Sequence, residues 1–333
     1  MALNKQIWQN TIVENFFPEN SFAAKSVDDS QYVNFKTVHI PNAGLPSGVK
    51  KNRATYPATA TQRDDHDKEY SIDEFTTNPV HITNAETIEL SYDKRNSVIN
   101  QDRQQLIMVA HESMLREWAK DVTIVRCTGK TVEPEGETAT GYRKTISKAD
   151  VSRLQYMFNK SNIPVEDRYI LLDARMYQDL INDLTEKELM AFQQAADVKK
   201  GIVGQLYGFN IMERSSVLVE NAGSIKDFGT DEAAADNLAG VAWQKDCVSR
   251  ALGEVKMFEN TNDATYYGDV YSFLVRAGGS KRRYDNKGVI VLAQAAASAP
   301  VETSEGPSET PTGTPNETPD ETPDDNPSES PNL

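Results

Sequence analysis

The chain has 333 residues, 38% of them hydrophobic and 8% aromatic, which is enough to bury one large core and to hold one to three domains. Its formal net charge is −15; residues 300–333 hold nine Asp/Glu and no Lys/Arg, which leaves −6 on residues 1–299. A body this mildly acidic has no general basic surface for tight nucleic-acid binding, and Cys127 and Cys247, far apart and in no CxxC, argue for buried inert thiols and against a disulfide framework or zinc module.

Residues 1–8 lack the apolar core of a secretion signal, and no run approaches the ~18 apolar residues of a membrane helix. This predicts a chain kept in a cytoplasm, without a membrane partner. Trp8, Phe16, Phe17 and Phe22 are scattered through residues 1–30, with a short helix compatible with 7–16. Aromatic anchors this dense are costly to leave in water, so they predict an arm that docks on something.

Residues 31–83 read as a long two-stranded excursion. Val33, Phe35, Val38 and Ile40 mark the outgoing strand; Tyr70, Ile72, Phe75, Val80 and Ile82 mark the return. The polar stretch from Pro41 to Asp67 between them cannot easily fold on a core of its own, so it is expected to lie on another molecule.

Residues 96–120 give the best long helix. Ile99, Leu106, Ile107, Ala110, Met114 and Trp118 keep helical spacing with no internal Gly or Pro. About 25 residues would make a rod of roughly 37 Å. Asp102 falls near the apolar stripe, early in the helix, where a carboxylate suits the N-terminal dipole. A strand at 122–125 follows.

Ser147 with Asp150 forms a capping-box pattern opening a helix through Val151, Leu154, Met157 and Phe158, which Pro164 ends. Tyr169–Leu172 is a short apolar strand, and Asp173 is a plausible N-cap for the helix carrying Tyr177, Leu180 and Ile181. Thr185 with Glu188 is a second capping box, before Leu189 and Phe192. Strands are expected at 206–211, 241–243, 255–258, 271–275 and 289–292, with a short helix around 247–251. Strands and helices mix without a βαβ repeat, which is an α+β order. Beyond 298, prolines at 307, 311, 315, 319, 323, 327 and 331 are separated by Glu, Asp, Ser and Thr. Burial cannot offset the entropy of folding such a tail, so it reads as disordered and polyproline-like.

Catalytic patterns are missing. His111-Glu112 starts like a zinc-protease helix, but Leu115 stands where the second ligand belongs, so the pair reads as a polar helix face. Arg63-Asp64-Asp65-His66-Asp67 reads as a solvated loop tip and not as a cation site. Gly201, Gly204 and Gly208 do not have dinucleotide-binding spacing and precede a strand, and Gly278-Gly279-Ser280-Lys281 lacks the phosphate-loop spacing. No catalytic residue, cofactor site or metal site is predicted. The basic cluster Lys281-Arg282-Arg283 is a candidate contact for DNA or for an acidic neighbour, the alternative being a solvated turn between strands.

Three phrases carry a family resemblance. They are Asn162-Ile163-Pro164 with Asp167-Arg168-Tyr169-Ile170-Leu171-Leu172 and Tyr177; Gly204-Gln205-Leu206-Tyr207-Gly208-Phe209-Asn210-Ile211; and Arg276 with Arg282-Arg283-Tyr284-Asp285 and Lys287-Gly288-Val289. In this order, after an arm, a long loop and a rod-like helix, they resemble the major capsid proteins of tailed bacteriophages, which have the Hong Kong 97-like fold. The resemblance spans roughly residues 1–295. It implies an N-terminal arm (1–30), an extended β-hairpin loop across an adjacent subunit (31–83), a peripheral domain with a spine helix (84–147), an axial domain (148–255), closing peripheral strands (256–297) and the acidic tail (298–333).

The resemblance also implies a function. The chain would assemble with itself as hexamers and pentamers into an icosahedral shell around double-stranded DNA, enclosed non-specifically, within a virion built in a bacterial cytoplasm. A scaffolding protein, separate because the chain starts almost at the arm, and a portal protein would be partners, with a decoration protein as a further one. Trp8, Phe16, Phe17, Lys50, Lys51, Arg63 and Lys68 are the candidate subunit contacts. Packaged DNA disfavours a −9 tail inside the shell, so the tail is expected to project outward. The competing readings are an encapsulin-like nanocompartment shell, a soluble enzyme with a disordered tail, and a cell-surface binding module on a stalk.

Overall fold

The computed structural model describes residues 16–42, 49, 51–54, 56–57, 60, 66–83, 94–135 and 138–299. The strands run in chain order as β1 (Val27–Asp28), β2 (Val33–Asn34), β3 (Thr37–Asn42), β4 (His66–Ser71), β5 (Asp73–Thr76), β6 (Val80–Thr83), β7 (Thr123–Arg126), β8 (Thr131–Val132), β9 (Tyr142–Lys144) and β10 (Arg168–Asp173). They continue as β11 (Gly204–Leu206), β12 (Phe209–Arg214), β13 (Leu218–Asn221), β14 (Ser224–Ile225), β15 (Asn237–Gln244), β16 (Val248–Asp263), β17 (Gly268–Lys281), β18 (Val289–Ala293) and β19 (Ala295–Ala297). The helices are α1 (Lys94–Ala119), α2 (Lys148–Lys160), α3 (Ala174–Asp183) and α4 (Glu186–Gln194).

An eight-stranded mixed sheet is built around β10 and β15. β10 is buried along its whole length because both its faces are covered, and it pairs parallel with β12 and antiparallel with β15. Ile170 and Leu172 point to one core, where they meet Val151, Leu154 and Phe158 of α2, Met176 and Leu180 of α3 and Phe192 of α4. Tyr169 and Leu171 point to the other core, with Met114, Leu115 and Trp118 of α1 and Phe22 and Ala23 of the arm. The alternation of one short strand thus fixes a three-layer arrangement of helices, sheet, then spine helix and arm.

The caps behave as the sequence indicates. The Asp150 carboxylate accepts from Ser147 N at 2.9 Å at the start of α2, and it also takes Thr128 Oγ1 at 2.7 Å, so the cap ties the 128 loop to the helix. Asp173 accepts from Arg175 N at 3.0 Å, and Glu188 accepts from Thr185 N at 2.9 Å.

The second structural body is a long antiparallel ribbon, β16 with β17. Only its cores near 255–258 and 271–275 stand out in the sequence, because Gly253, Gly278 and Gly279 interrupt the apolar pattern toward the other end. Gly279 in fact faces α1: a Cβ there would lie 2.5 Å from Met114 Cγ and 3.0 Å from Trp118 Nε1, so only glycine lets the helix close on the ribbon. The inward residues Tyr271, Phe273, Val275 and Ala277 alternate along β17 and pack with Leu106 and Ala110 of α1.

Several expectations are corrected. The hairpin is β3 with β4 only, from Thr37↔Ser71 to Asn42↔His66. Residues 73–83 leave it and pair with β17, because Phe75 and Ile82 join the ribbon core. Phe35 is no strand residue: it sits at φ 58 in the two-residue turn between β2 and β3 and is largely exposed. Residues 206–211 are not one strand but the hairpin β11–β12, whose turn, Tyr207-Gly208, has both residues at positive φ. The helix expected at 247–251 is a three-residue 3₁₀ turn, Lys245–Cys247, after which β16 begins. α1 starts at Lys94, so Asp102 lies about two turns in, beyond the reach of the helix dipole; burial raises its pKa. Cys127 and Cys247 are buried free thiols, and burial pushes Cys247 up to about 11. The expected helix over 7–16 lies outside the described residues except for Phe16, which is in a bend, and the tail from 300 lies outside them too.

Candidate assembly surfaces

The arm is held on α1 by a cluster of rings. Phe16 is fully buried, edge-on to Phe17 at 4.9 Å and to His111 at 5.7 Å. Phe17 stacks on the His111 imidazole at 5.6 Å, and Phe22 bridges His111 and Trp118 edge-on, 5.7 Å from each. His111 Nε2 donates to the Phe16 carbonyl at 3.0 Å. Burial lowers the His111 pKa to about 4, and Arg214 and Arg250 push in the same direction. The imidazole is therefore neutral and structural. Its place on the stripe 111, 114/115, 118 is a signal in the sequence that it faces the core, so the reading of a polar helix face is corrected.

Further along the arm, Trp243 Nε1 donates to Lys25 O at 2.9 Å. Arg250 donates to Ala23 O at 3.0 Å and Ser26 O at 2.7 Å while lying 5.0 Å over the Phe17 ring. β1 then adds to β16 in parallel register. Backbone carbonyls recognised by side chains leave little composition signal, so Trp243 and Arg250 were not foreseen as arm anchors.

The base of the β3–β4 hairpin is fixed by Val38, Ile40, Ile72 and Ala251. Lys68 Nζ donates to the Arg283 carbonyl at 2.8 Å, and burial lowers its pKa. Asp29 is fully buried; burial raises its carboxyl, and Arg282 at 3.6 Å opposes that.

The three cations of the 281–283 cluster go to different places. Lys281 is buried and donates to the Lys120 carbonyl. Arg282 pairs with Asp29. Arg283 holds Asp285 through two 2.9 Å hydrogen bonds, which depress the Asp285 carboxyl strongly. Of the other candidates, Phe16 and Phe17 lie in the arm's docking site on its own chain, and Lys51 is exposed. Trp8, Lys50 and Arg63 lie outside the described residues.

Among the described residues, no group of three or more His, Cys, Asp or Glu is placed to hold a metal ion, and no helix is long and apolar enough to cross a membrane. A groove of about 620 Å³ beside Phe35 is occupied at its wall by Arg276, which is held by Glu74 at 2.9 Å and lies 4.9 Å over the Phe35 ring. What the surface does offer is exposed apolar area: Tyr32, Phe35, Phe258, Tyr266 and Tyr267 around the ribbon and hairpin, and Tyr156, Val165, Met190 and Val198 around the helices α2 and α4.

No family model matches the chain, and no curated protein sequence does. Solved structures do. The capsid of Ralstonia phage GP4 matches with a TM-score of 0.62 at 13% identity, over 86% of this chain and 91% of that one. The capsid of cyanophage P-SCSP1u matches with a TM-score of 0.57 at 17% identity, over 82% and 87%. A virus-like particle from Pyrococcus furiosus matches with a TM-score of 0.51 at 8% identity, over 87% and 99%. The fold is that of capsid shell proteins. Within that class it is the α+β fold of phage capsid proteins expected from the three phrases.

Proposed function

We propose that the chain is the major capsid protein of a tailed phage, assembling as hexamers and pentamers into an icosahedral shell around double-stranded DNA. The observation that carries this is a capsid fold spanning more than four fifths of both chains. Its role is structural and not enzymatic.

In this reading α1 is the spine of a peripheral domain (84–147 and 256–297), residues 148–255 form the axial domain, the β3–β4 hairpin within residues 31–83 forms the loop that reaches a neighbour, and the first thirty residues are the arm. The exposed residues of α2 and α4, Tyr156 and Met190 among them, are then suited to contacts around the capsomer axis. Trp8, Lys50, Lys51, Arg63 and Lys68 are the proposed subunit contacts outside the axis, and Arg283 is the member of the basic cluster best exposed to meet DNA or a neighbour. Scaffolding, portal and decoration proteins are the proposed partners, the host cytoplasm the place of assembly, and the tail projects outward.

The likeness to the Pyrococcus furiosus particle supports a second reading, a cellular nanocompartment shell. Electron microscopy of the expressed chain, with and without a scaffolding partner, tests both. Closed shells that protect double-stranded DNA from nuclease after packaging support the first. Closed shells formed without any phage partner and loaded with protein favour the second. Monomers under every condition overturn both.

A further inference from the structure

The arm, the hairpin and the ribbon meet at Asp29. The residue follows β1 and opens the short 3₁₀ turn Ser30–Tyr32, and its backbone N–H donates to Arg250 O of β16 at 2.8 Å. Beside it Ser30 Oγ accepts from Leu252 N at 2.9 Å. The end of the arm is thus stitched to the ribbon, and the Asp29 side chain is turned inward and fully buried. Facing it are the hydroxyls of Tyr70 on β4 and Ser249 on β16, the guanidinium of Arg282 past β17 and the neighbouring Asp28 carboxylate. Tyr70 Oη and Ser249 Oγ lie 3.3 Å apart, which links hairpin to ribbon at the same spot. Two residues on, Ile72 N donates to Lys36 O at 2.8 Å and closes the hairpin base.

This setting is poor for a carboxylate. Neither Asp29 oxygen has a hydrogen-bond partner among the described residues, and Arg282 stands at 3.6 Å, close enough to attract but outside hydrogen-bond reach. Burial raises the Asp29 pKa, Arg282 and Ser249 oppose the rise, and Asp28 adds to it; the net direction is up. The neutral acid suits the place better. It carries no charge into the core, and it brings one O–H donor to a site where two hydroxyl oxygens can accept.

We propose that Asp29, Tyr70 and Ser249 form a proton-operated clasp at the base of the β3–β4 hairpin, closed while Asp29 holds a proton and loosened when it ionises. The clasp belongs to the single chain and does not rest on the shell reading. Its sign follows from linkage. The folded group still holds a proton at pH values where the unfolded carboxyl, near 3.8, has released it. The closed form therefore gains as pH falls through the folded value, and gains nothing further below the unfolded one. His111 works in the opposite direction in acid, so global unfolding mixes the two effects and a local readout is needed.

Hydrogen exchange on the full chain supplies that readout, followed by mass spectrometry between pH 8 and pH 4 and corrected for the intrinsic pH dependence of exchange. Peptides spanning 66–72 and 249–255 report the hairpin base and the ribbon that holds it. Their protection is expected to rise as pH falls, by roughly tenfold per pH unit over the window in which Asp29 takes up its proton, the slope of a one-proton linkage. Asp29→Asn, neutral at every pH, removes that slope. Arg282→Gln takes away the opposing cation and moves the midpoint of the rise to higher pH, which a merely structural role of Asp29 would not do. A flat profile in the wild type, a slope that survives Asp29→Asn, or a midpoint that Arg282→Gln leaves in place or lowers overturns the clasp.

Discussion

The neutral imidazole of His111 donates through Nε2 to the carbonyl of Phe16, 3.0 Å away and 95 residues earlier, and three phenylalanine rings close around it. The arm is thereby joined to the spine helix by a group that cannot take a second proton without placing a charge between rings and facing Arg214 and Arg250.

A pH dependence follows. The folded pKa of about 4 lies below the unfolded value of about 6.5, so the unfolded chain binds more protons in that window. The contribution of His111 is fully present above about pH 6.5 and falls as pH drops toward 4, by about 3 kcal/mol. A His111→Phe variant fills the same space without a titratable group. Urea unfolding of wild type and variant between pH 7 and pH 4 should converge as pH falls, with the wild type losing stability more steeply. Parallel pH profiles would show that His111 is not the group responsible.

The close approach of α1 to the ribbon predicts a large effect from a small change. Gly279→Ala places a methyl 2.5 Å from both Met114 Cγ and the Ser249 carbonyl oxygen. The Ser249 carbonyl is also the acceptor for Trp118 Nε1 at 2.9 Å, so it cannot retreat without loss of that bond. A destabilisation of about 1–3 kcal/mol is expected from overpacking. Gly223→Ala, at a turn with nothing within 4 Å but a positive φ, supplies the contrast: its cost is backbone strain alone, on the order of 1 kcal/mol. Equilibrium unfolding of the two variants separates these causes.

Much of this fold was legible because local rules and burial agree. The strand at 168–173 is a short apolar run between a proline-ended helix and an Asp cap, and each feature is found where the residues put it. The ribbon was legible only in its middle. Its glycines serve packing against Met114, Trp118 and Ile72, and a sequence does not distinguish a glycine needed for contact from one needed for a turn. The exposed surfaces were legible as composition and not as geometry: the polar stretch between the hairpin strands is visible in the residues, whereas the tip that holds Tyr266 and Tyr267 toward solvent requires the register of β16 on β17. Arg168, read as part of a family phrase, turns out to be a buried cation between Phe158 and Phe209 that donates to Pro164 O at 2.7 Å and Ile163 O at 2.6 Å, a role no spacing rule announces.

The 281–283 cluster yields a separable prediction. Lys281 is buried and donates to the end of α1 at the Lys120 carbonyl, with its pKa lowered by burial. Lys281→Ala should therefore reduce subunit stability by about 1–3 kcal/mol through the unpaired carbonyl and lost packing. Arg283→Ala removes a half-exposed pair with Asp285 and should change stability by no more than about 1 kcal/mol. Thermal unfolding distinguishes the two; equal losses would mean that the cluster acts as one unit.

The most consequential buried charge is Glu220. It is fully inaccessible, yet its carboxyl is held below the ordinary value: burial alone would raise it, but Arg126 at 2.5 and 2.8 Å, Asn237 Nδ2 at 2.9 Å and the Gly223 backbone N–H together outweigh that. These bonds tie β7 to β13 and β15. Removing one partner is more damaging than removing the charge, because an uncompensated buried carboxylate is what remains. Arg126 is 42% exposed, so Arg126→Met should cost about 1–3 kcal/mol, whereas Glu220→Gln, which keeps a hydrogen-bonding shape, should cost less. The sign of the pH effect is opposite in origin to a base: a depressed carboxyl contributes stability above its unfolded pKa near 4.5, and that contribution is lost as pH falls through the lower folded value. Arg126→Met should reduce the cost of protonating Glu220 and so flatten the acid limb of the unfolding profile. An unchanged acid limb, with the full loss of stability at neutral pH, would mean that Arg126 acts by packing and not by its charge.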